Sequence, residues 1–305
     1  MVAAGGDRLV SSRRTAWCGL AAVSVGALVL SCATGCGSEE PESLDALVAR
    51  VVDASPGRAD EYTPPSRAHA REIAAGVVDL LTAGGADVSS HEAVAVAASG
   101  GSGESFRALV ERGDPMRGDG LYVVRPPESS PAPLVVEAPH PVADLHSEHL
   151  AAALFEQTRA RALLVAGAHR TAGDGAGDAA HRADSAFAAV DGALVDAATT
   201  VVQVHGFGSG NHDDIGEVVL SSSTPEPSPT VRHLARVLGD HGFTTCVYDG
   251  RACAALGATT NVEGAAARAV GADFVHIEVD ERIRGDRGIR DAFVRILAEA
   301  LESAA

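Results

Sequence analysis

The sequence predicts an α/β protein, with a mixed, largely parallel sheet covered by helices on both faces and preceded by a small helical segment. From residue 121 onward, short β-rich runs alternate with stretches of helical periodicity. Strands that are separated by helices form sheets that are largely parallel and buried on both sides. The chain has 305 residues and is 46% hydrophobic, which is enough for a substantial buried core.

Seven β-rich runs and four helical stretches define the predicted order. The strands are LYVV (121–124), LVVEA (134–138), ALLVAG (162–167), TVVQVH (200–205), EVVLSS (217–222), TTCVYD (244–249) and FVHIEVD (274–280). The helices are predicted over residues 148–158, 184–196, 230–240 and 286–304. In such sheets, binding sites form at the carboxyl ends of the strands.

The N-terminus has the pattern of an export signal over residues 1–36. Arginines precede an apolar run that ends at Leu30, and this run is too short to span a membrane comfortably. The stretch ATGC resembles a bacterial lipobox, which predicts lipidation of Cys36, with Cys32 as a second candidate. We therefore expect a periplasmic or cell-surface bacterial lipoprotein that is attached to the membrane only through its lipid anchor.

Three further segments follow the predicted signal. Residues 37–66 are predicted to form an acidic, proline-containing tether, with a short amphipathic helix over 44–52. Residues 67–120 are predicted to form a helical segment, with ASGGSGES (98–105) as a helix-to-helix turn. Residues 121–305 form the predicted α/β catalytic domain.

Charge and cysteine content narrow the possible partners and the compartment. The formal net charge is −17, and aromatic residues make up 4% of the chain, so nucleic acid is not an expected partner. Beyond the predicted signal, the remaining cysteines are Cys246 and Cys253. In an exported chain such a pair predicts a disulfide, and two free buried thiols are the alternative.

Candidate site residues fall near the ends of three predicted strands. His140 follows LVVEA, His205 ends TVVQVH, and Glu278 lies near the end of FVHIEVD. A catalytic zinc takes three protein ligands and leaves one position open for water. The histidines would be two of these ligands, and Asp144 or Glu148 could supply a carboxylate. Glu278 would then be free to act as general base.

Several blocks of the chain resemble a known group of hydrolases. VVEAPHPVADLHSEHLA, LLVAGAHR, AHRADSAFAAV, VVQVHGF and TTNVEGAAARAVGADFVHIEVDERIR are similar, in this order, to blocks of the N-formylglutamate amidohydrolase and poly-γ-glutamate hydrolase group. That group has the zinc carboxypeptidase-like fold, and the resemblance covers residues 121–305. It implies one zinc per chain, hydrolysis of an amide bond, and a mixed sheet with helices on both sides.

The resemblance also implies roles for particular residues. His140 and His205 match the histidine ligands, and Glu278 matches the glutamate that acts as base. Arg170 and Arg284 match arginines that could bind a substrate carboxylate. The expected substrate is therefore a small acidic amide or a peptide-like molecule.

One departure from the group's pattern concerns the third ligand. The ligand pair of the fold is H-x-x-E, but Ala143 stands three residues after His140. Asp144 is the preferred substitute and Glu148 the second choice. If neither reaches the metal, His146 and His149 could form a different site.

Two points about function stay open in the sequence. Asp184 lies in a glycine- and alanine-rich loop and could line the pocket or cap the following helix. The departure at Ala143 is also compatible with a non-catalytic envelope lipoprotein that uses the fold for binding. A serine hydrolase is not supported, because no G-x-S-x-G motif occurs.

Overall fold

The computed structural model describes residues 40–211 and 215–304. Within them, nine strands form one mixed sheet in the order β1-β2-β3-β5-β4-β6-β9-β7-β8. The strands are β1 (His91–Ala97), β2 (Ser105–Glu111), β3 (Leu121–Val124), β4 (Ala132–Ala138), β5 (Ala160–Val165), β6 (Thr200–Phe207), β7 (Val218–Ser221), β8 (Thr245–Val247) and β9 (Asp273–Asp280). All seven predicted strands are confirmed.

Parallel pairing is concentrated at the centre of the sheet. Strands β5, β4, β6 and β9 are neighbours and run parallel to one another. The β1-β2-β3-β5 side is antiparallel, β7 is antiparallel to β9, and β8 is parallel to β7. The carboxyl ends of the four central strands therefore lie at one edge of the sheet.

Helices cover both faces, as predicted. They are α1 (Leu44–Asp53), α2 (Arg67–Ala83), α3 (Ser147–Gln157), α4 (Ala172–Gly175), α5 (Ala186–Leu194), α6 (Pro229–Asp240), α7 (Val262–Val270), α8 (Glu281–Gly285) and α9 (Arg287–Ala304). The apolar residues of α1, α3, α6 and α9 pack in one core with Val136 and Val204. Those of α2 and α5 pack in a second core with Val135, and Ala267 of α7 packs on Val201. Because neighbouring strand residues point to opposite faces, these cores lie on opposite sides of the sheet.

The predicted helical segment over 67–120 needs a correction. It is helical in α2, but β1 and β2 form an antiparallel hairpin, and the glycine-rich stretch 98–105 lies at its turn. In β2, Phe106, Ala108 and Val110 pack in the first core, whereas Leu109 packs in the second. This is alternation with a period of two. The apolar spacing in this stretch fitted a helix as well, which is why the prediction was wrong.

The helix predicted within the tether is present, and it packs against the rest of the protein. Leu44, Leu47, Val48 and Val51 of α1 are buried in the first core. The predicted tether is thus part of the folded body from α1 onward. The predicted signal and lipidation residues, Cys36 and Cys32 included, lie outside the described residues.

Two further features concern the cysteines and the helices. The predicted disulfide between Cys246 and Cys253 is present and closes a short loop beside β8. Across residues 40–211 and 215–304, no helix combines the length and the apolar character that crossing a membrane requires.

Candidate metal centre

Strands β4, β6 and β9 bring the predicted site residues to one edge of the sheet. His140 follows β4 by two residues, and His205 lies directly opposite Glu278 in the register of β6 and β9. Val202 and Val204 of β6 pack in the first core, so His205 points to the other face of the sheet. The alternation of these strands therefore places both His205 and Glu278 on the face covered by α5 and α7.

Three donor atoms converge between β4 and β6. The Oδ2 atom of Asp144 lies 3.4 Å from Nδ1 of His205 and 3.7 Å from Nδ1 of His140. In a tetrahedral zinc site with bonds of 2.0–2.1 Å, neighbouring ligand atoms are about 3.4 Å apart. All three residues are buried. The group therefore fits a zinc ion that keeps a fourth position for water.

In His140 and His205, Nε2 is hydrogen-bonded to another residue, which leaves Nδ1 available to a metal ion. Nε2 of His140 lies 2.7 Å from Oδ1 of Asp178, and Nε2 of His205 lies 2.8 Å from Oε1 of Gln203. Both oxygens accept, so each Nε2 carries a proton and each Nδ1 is the nitrogen left to bind a metal ion. Among the described residues, His140 Nδ1 is a buried atom with no hydrogen-bond partner. A metal ion bound there would give this buried nitrogen a partner.

The loop after β4 explains how Asp144 replaces the expected H-x-x-E glutamate. The backbone N–H of Asp144 donates to the carbonyl of His140 at 2.8 Å, which closes one helix-like turn. Asp144 Oδ2 also accepts a bond from the backbone N–H of Gly206 at 3.2 Å. Glu148 lies in α3, where its carboxylate groups with His146 and His149. The structure thus brings Asp144, and not Glu148, to His140 and His205.

The charged groups of the centre shift one another's pKa values. Burial lowers the pKa of His140, but the carboxylates of Asp144 and Asp178 outweigh it and raise this pKa to about 9. Burial raises the pKa of Asp144, and the two histidines reverse this and hold it well below its usual range. Burial lowers the pKa of His205 to about 4. The imidazolium of His140 thus lies between two carboxylates, and a metal ion would displace its Nδ1 proton.

Glu278 lies beside this group with a buried carboxyl. Burial, followed by the charge of Asp144, raises its pKa to about 8. Its Oε1 atom is 3.8 Å from Nε2 of His276, and its Oε2 atom has no hydrogen-bond partner among the described residues. A carboxyl whose pKa is close to neutral can both accept and donate a proton at physiological pH.

His276 is a neighbour that sequence analysis did not single out. It is buried, two residues before Glu278 on the same face of β9, and its ring lies 4.6 Å from that of His205. His205, His276 and Glu278 form another group of donor atoms close enough to hold a metal ion. The period-two alternation of FVHIEVD was the signal that could have found it.

A buried polar network behind the centre was also missed. Gln203 Nε2 donates to Glu137 Oε2 at 2.9 Å and lies 3.4 Å from Glu263 Oε2. Its Oε1 atom accepts from Asn261 Nδ2 at 2.6 Å as well as from His205. Burial raises the pKa of Glu263 to about 8 and that of Asp191 to about 6, and it raises the pKa of Glu137 well above its usual range. Gln203 therefore connects these carboxyls to a candidate metal ligand.

The three expected substrate-binding residues have different surroundings. Arg170 has a side chain that is 43% exposed, lies 3.7 Å from Asp178, and acts by its charge on His205 and Glu278. Arg284 is buried, and its Nε, Nη1 and Nη2 atoms donate to the backbone carbonyls of Val279, Leu145 and Phe207. It holds the loops of the site together, which differs from the expected contact with substrate.

Asp184 lies farther out on the surface loop. Its carboxylate accepts two hydrogen bonds from Arg182, at 2.9 and 2.8 Å. The side chain that caps α5 belongs to Ser185, which accepts from the backbone N–H of Ala188. Of the two possibilities left open for Asp184, capping of α5 therefore belongs to the next residue, Ser185.

No protein-family model matches the sequence, and comparison with curated protein sequences finds no relative. Among solved structures, the chain is similar to a gene product of Agrobacterium tumefaciens at 15% identity, over 56% of this chain and 89% of that one, with a TM-score of 0.42. It is similar to the N-formylglutamate amidohydrolase of Ralstonia eutropha at 15% identity, over 57% and 96% of the chains, with a TM-score of 0.35. It is also similar to a metallo-carboxypeptidase of Pseudomonas aeruginosa at 12% identity, over 66% and 61%, with a TM-score of 0.37.

Proposed function

We propose that this chain is an exported, zinc-dependent amidohydrolase that cleaves an amide bond next to a carboxylate in a small acidic or peptide-like substrate. The observation that supports this most is the convergence of His140 Nδ1, His205 Nδ1 and Asp144 Oδ2 at ligand spacing, beside the buried carboxyl of Glu278. The sequence blocks that resemble amidohydrolases agree with it.

Zinc, when bound by His140, Asp144 and His205, supplies a Lewis acid that polarises a carbonyl and lowers the pKa of water. Glu278 takes a proton from the water whose oxygen attacks the scissile carbonyl carbon. The same carboxyl gives that proton to the amide nitrogen as the C–N bond breaks, which yields a carboxylic acid and an amine. Burial of Glu278 supports this role, because it brings the pKa close to neutral.

Arg170 is the group we propose for the substrate carboxylate. Its side chain is partly exposed, whereas the donors of Arg284 are taken by backbone carbonyls. Planar guanidinium groups bind carboxylates through paired hydrogen bonds. An amide that carries a neighbouring carboxylate could thus be held by Arg170 while Glu278 handles the proton.

Export is supported by the disulfide and by the signal pattern of residues 1–36. Disulfides form and persist in oxidising compartments, and Cys246 is joined to Cys253. We propose that the mature protein is a lipoprotein of a bacterial envelope.

The test is zinc content together with amide hydrolysis. We expect one tightly held zinc in the wild-type chain, its loss in the double variant His140→Ala with His205→Ala, and amine release from formyl-amino acids, γ-glutamyl peptides or stem peptides. The wild type should lose this activity on treatment with a chelator and regain it with zinc. Absence of tightly held zinc would contradict the proposal and favour a non-catalytic envelope lipoprotein.

A further inference from the structure

A second group of metal-binding side chains lies at the start of α3. His146, Glu148 and His149 each offer one donor atom, and these atoms lie within 4.8 Å of one another. His146 and His149 have no part in the zinc centre proposed above, and Glu148 does not reach it. The group therefore needs an explanation of its own.

The distances within this group suit a zinc ion. Oε1 of Glu148 lies 3.6 Å from Nε2 of His149, close to the spacing of about 3.4 Å between ligands of a tetrahedral zinc site. The rings of His146 and His149 are nearly parallel, with an interplanar angle of 25° and centroids 5.9 Å apart. Two imidazoles and one carboxylate are a common ligand set for zinc.

A contact with α1 fixes which nitrogen of His149 is available. Nδ1 of His149 lies 2.6 Å from Oδ1 of Asp45, so this nitrogen donates a proton to the carboxylate. The lone pair is then on Nε2, the atom that faces Glu148. The arrangement repeats that of Asp178 and His140 in the first centre, where a carboxylate orients a histidine ligand.

The carboxyl of Glu148 is a second, independent observation that points to a cation. The residue is 6% exposed, and its Oε2 atom is buried with no hydrogen-bond partner among the described residues. An ionised carboxylate is costly to bury unless hydrogen bonds or a cation compensate for the lost water. A metal ion at this position would supply that compensation.

We propose that His146, Glu148 and His149 form a second zinc site, separate from the one at His140, Asp144 and His205. We expect it to bind more weakly, because His146 is exposed and the positive charges of Arg284 and Arg290 act on it. Because Asp45 of α1 orients one of the ligands on α3, zinc bound there also strengthens the contact between these two helices. The site thus stabilises the fold and takes no part in the proposed reaction.

The test is a zinc titration of the full chain and of three matched double variants. Calorimetry measures the binding, and thermal unfolding measures the change in Tm. We expect two classes of site in the wild type, one tight and one weak. His146→Ala with His149→Ala should lose the weak class and the rise in Tm that accompanies it. His140→Ala with His205→Ala should lose the tight class and keep the weak one.

The control variant is His233→Ala with His241→Ala, which removes a half-buried histidine of α6 and an exposed histidine at the C-terminal end of that helix. It should keep both classes. A weak class that is missing from the wild type, or that persists without His146 and His149, overturns the second site and leaves the first untouched. A wild type that has the weak class but not the tight one would count against the proposed function and not against this site.

Folding of the variants is checked by circular dichroism. If the alanine pair does not fold, the single change His149→Gln provides the same test, because glutamine can still donate to Asp45 but removes the imidazole ligand. It should weaken the second class at least tenfold. An unchanged affinity would overturn the proposal.

Discussion

Nε2 of His140 lies 2.7 Å from Oδ1 of Asp178, a residue 38 positions later in the chain. Asp178 also accepts a hydrogen bond from Nδ1 of His181, at 2.9 Å. The carboxylate therefore sets the tautomer of His140 and directs its Nδ1 toward Asp144 and His205. This relationship links the loop that contains Asp178 to the candidate metal centre.

Removal of the Asp178 carboxylate should weaken zinc binding. In Asp178→Ala we expect an affinity about 10 to 100-fold lower, because the imidazole of His140 loses its orientation and part of its basicity. A competition titration with a chromophoric chelator measures this change. Asp184→Ala is the matched control, since that carboxylate lies in the same loop and pairs with Arg182 on the surface. Equal affinities in the two variants would show that Asp178 does not support the ligand.

Neutralising Glu278 should separate catalysis from metal binding. In Glu278→Gln we expect kcat to fall by at least about 100-fold, because the side chain no longer accepts a proton. The tightly held zinc should stay, since Glu278 is not needed as a ligand. Glu281→Gln, at an exposed position three residues later, should keep full activity.

The pH dependence of kcat/KM follows from the same carboxyl. Burial, and then the charge of Asp144, raises the pKa of Glu278 to about 8 in the metal-free protein, and a bound cation would lower it. Only the ionised form accepts a proton, so kcat/KM should fall on the acid side of this pKa. A profile without such an acid limb would contradict the role of Glu278 as base.

The sequence could predict that the site residues converge, because this depends on the regular alternation of strands and helices. His140, His205 and Glu278 follow or end strands that alternate with helices, and parallel strands present their carboxyl ends at one edge. What sequence could not provide is contact between distant loops. Asp178 stands among glycines and alanines, and no local pattern indicates that it lies against His140.

The error over residues 67–120 came from a sequence pattern that fits both a helix and a strand. The apolar residues Phe106, Leu109 and Val110 have a spacing compatible with a helix, yet in β2 they divide between two cores. Arg284 illustrates a different limit. The family resemblance implied a substrate contact for Arg284, but its hydrogen bonds to three carbonyls depend on how the loops around β6 and β9 fold.

The buried carboxyls behind Gln203 predict a loss of stability at alkaline pH. The pKa of Glu263 is raised by burial to about 8, and that of Glu137 is raised as well. A group whose pKa is higher in the folded state stabilises the protein below its ordinary pKa, and this contribution is lost as the pH rises through the folded value. Glu278, raised to about 8, and His140, raised to about 9, act in the same direction.

We expect the metal-free protein to be less stable at pH 8.5 than at pH 7. Histidines with lowered pKa values, such as His205, are largely neutral in the folded and the unfolded protein between pH 7 and 8.5. They therefore contribute little to the change in stability. Chemical unfolding with a chelator present should show a decrease of more than about 1.4 kcal/mol, the free energy equivalent of one pKa unit. Glu263→Gln should reduce the decrease, because the amide does not ionise. A free energy of unfolding that stays level or rises with pH would rule out these protonated carboxyls.

Binding of the substrate carboxylate should depend on Arg170. In Arg170→Gln we expect KM to rise about 10 to 100-fold for substrates that carry a carboxylate beside the amide, since one charge-assisted pair is worth about 1.5–3 kcal/mol. Because the proton transfer belongs to Glu278, kcat should change less than KM when it is measured above the pKa of Glu278, where the charge of Arg170 no longer decides whether this carboxyl is ionised. Arg182→Gln is the control, since that side chain is equally exposed but is paired with Asp184. A matched substrate whose carboxylate is replaced by a neutral amide separates an effect on binding from an effect on folding. Its KM should be the same in the wild type and in Arg170→Gln. An equal rise in KM for both substrates would assign Arg170 a structural role.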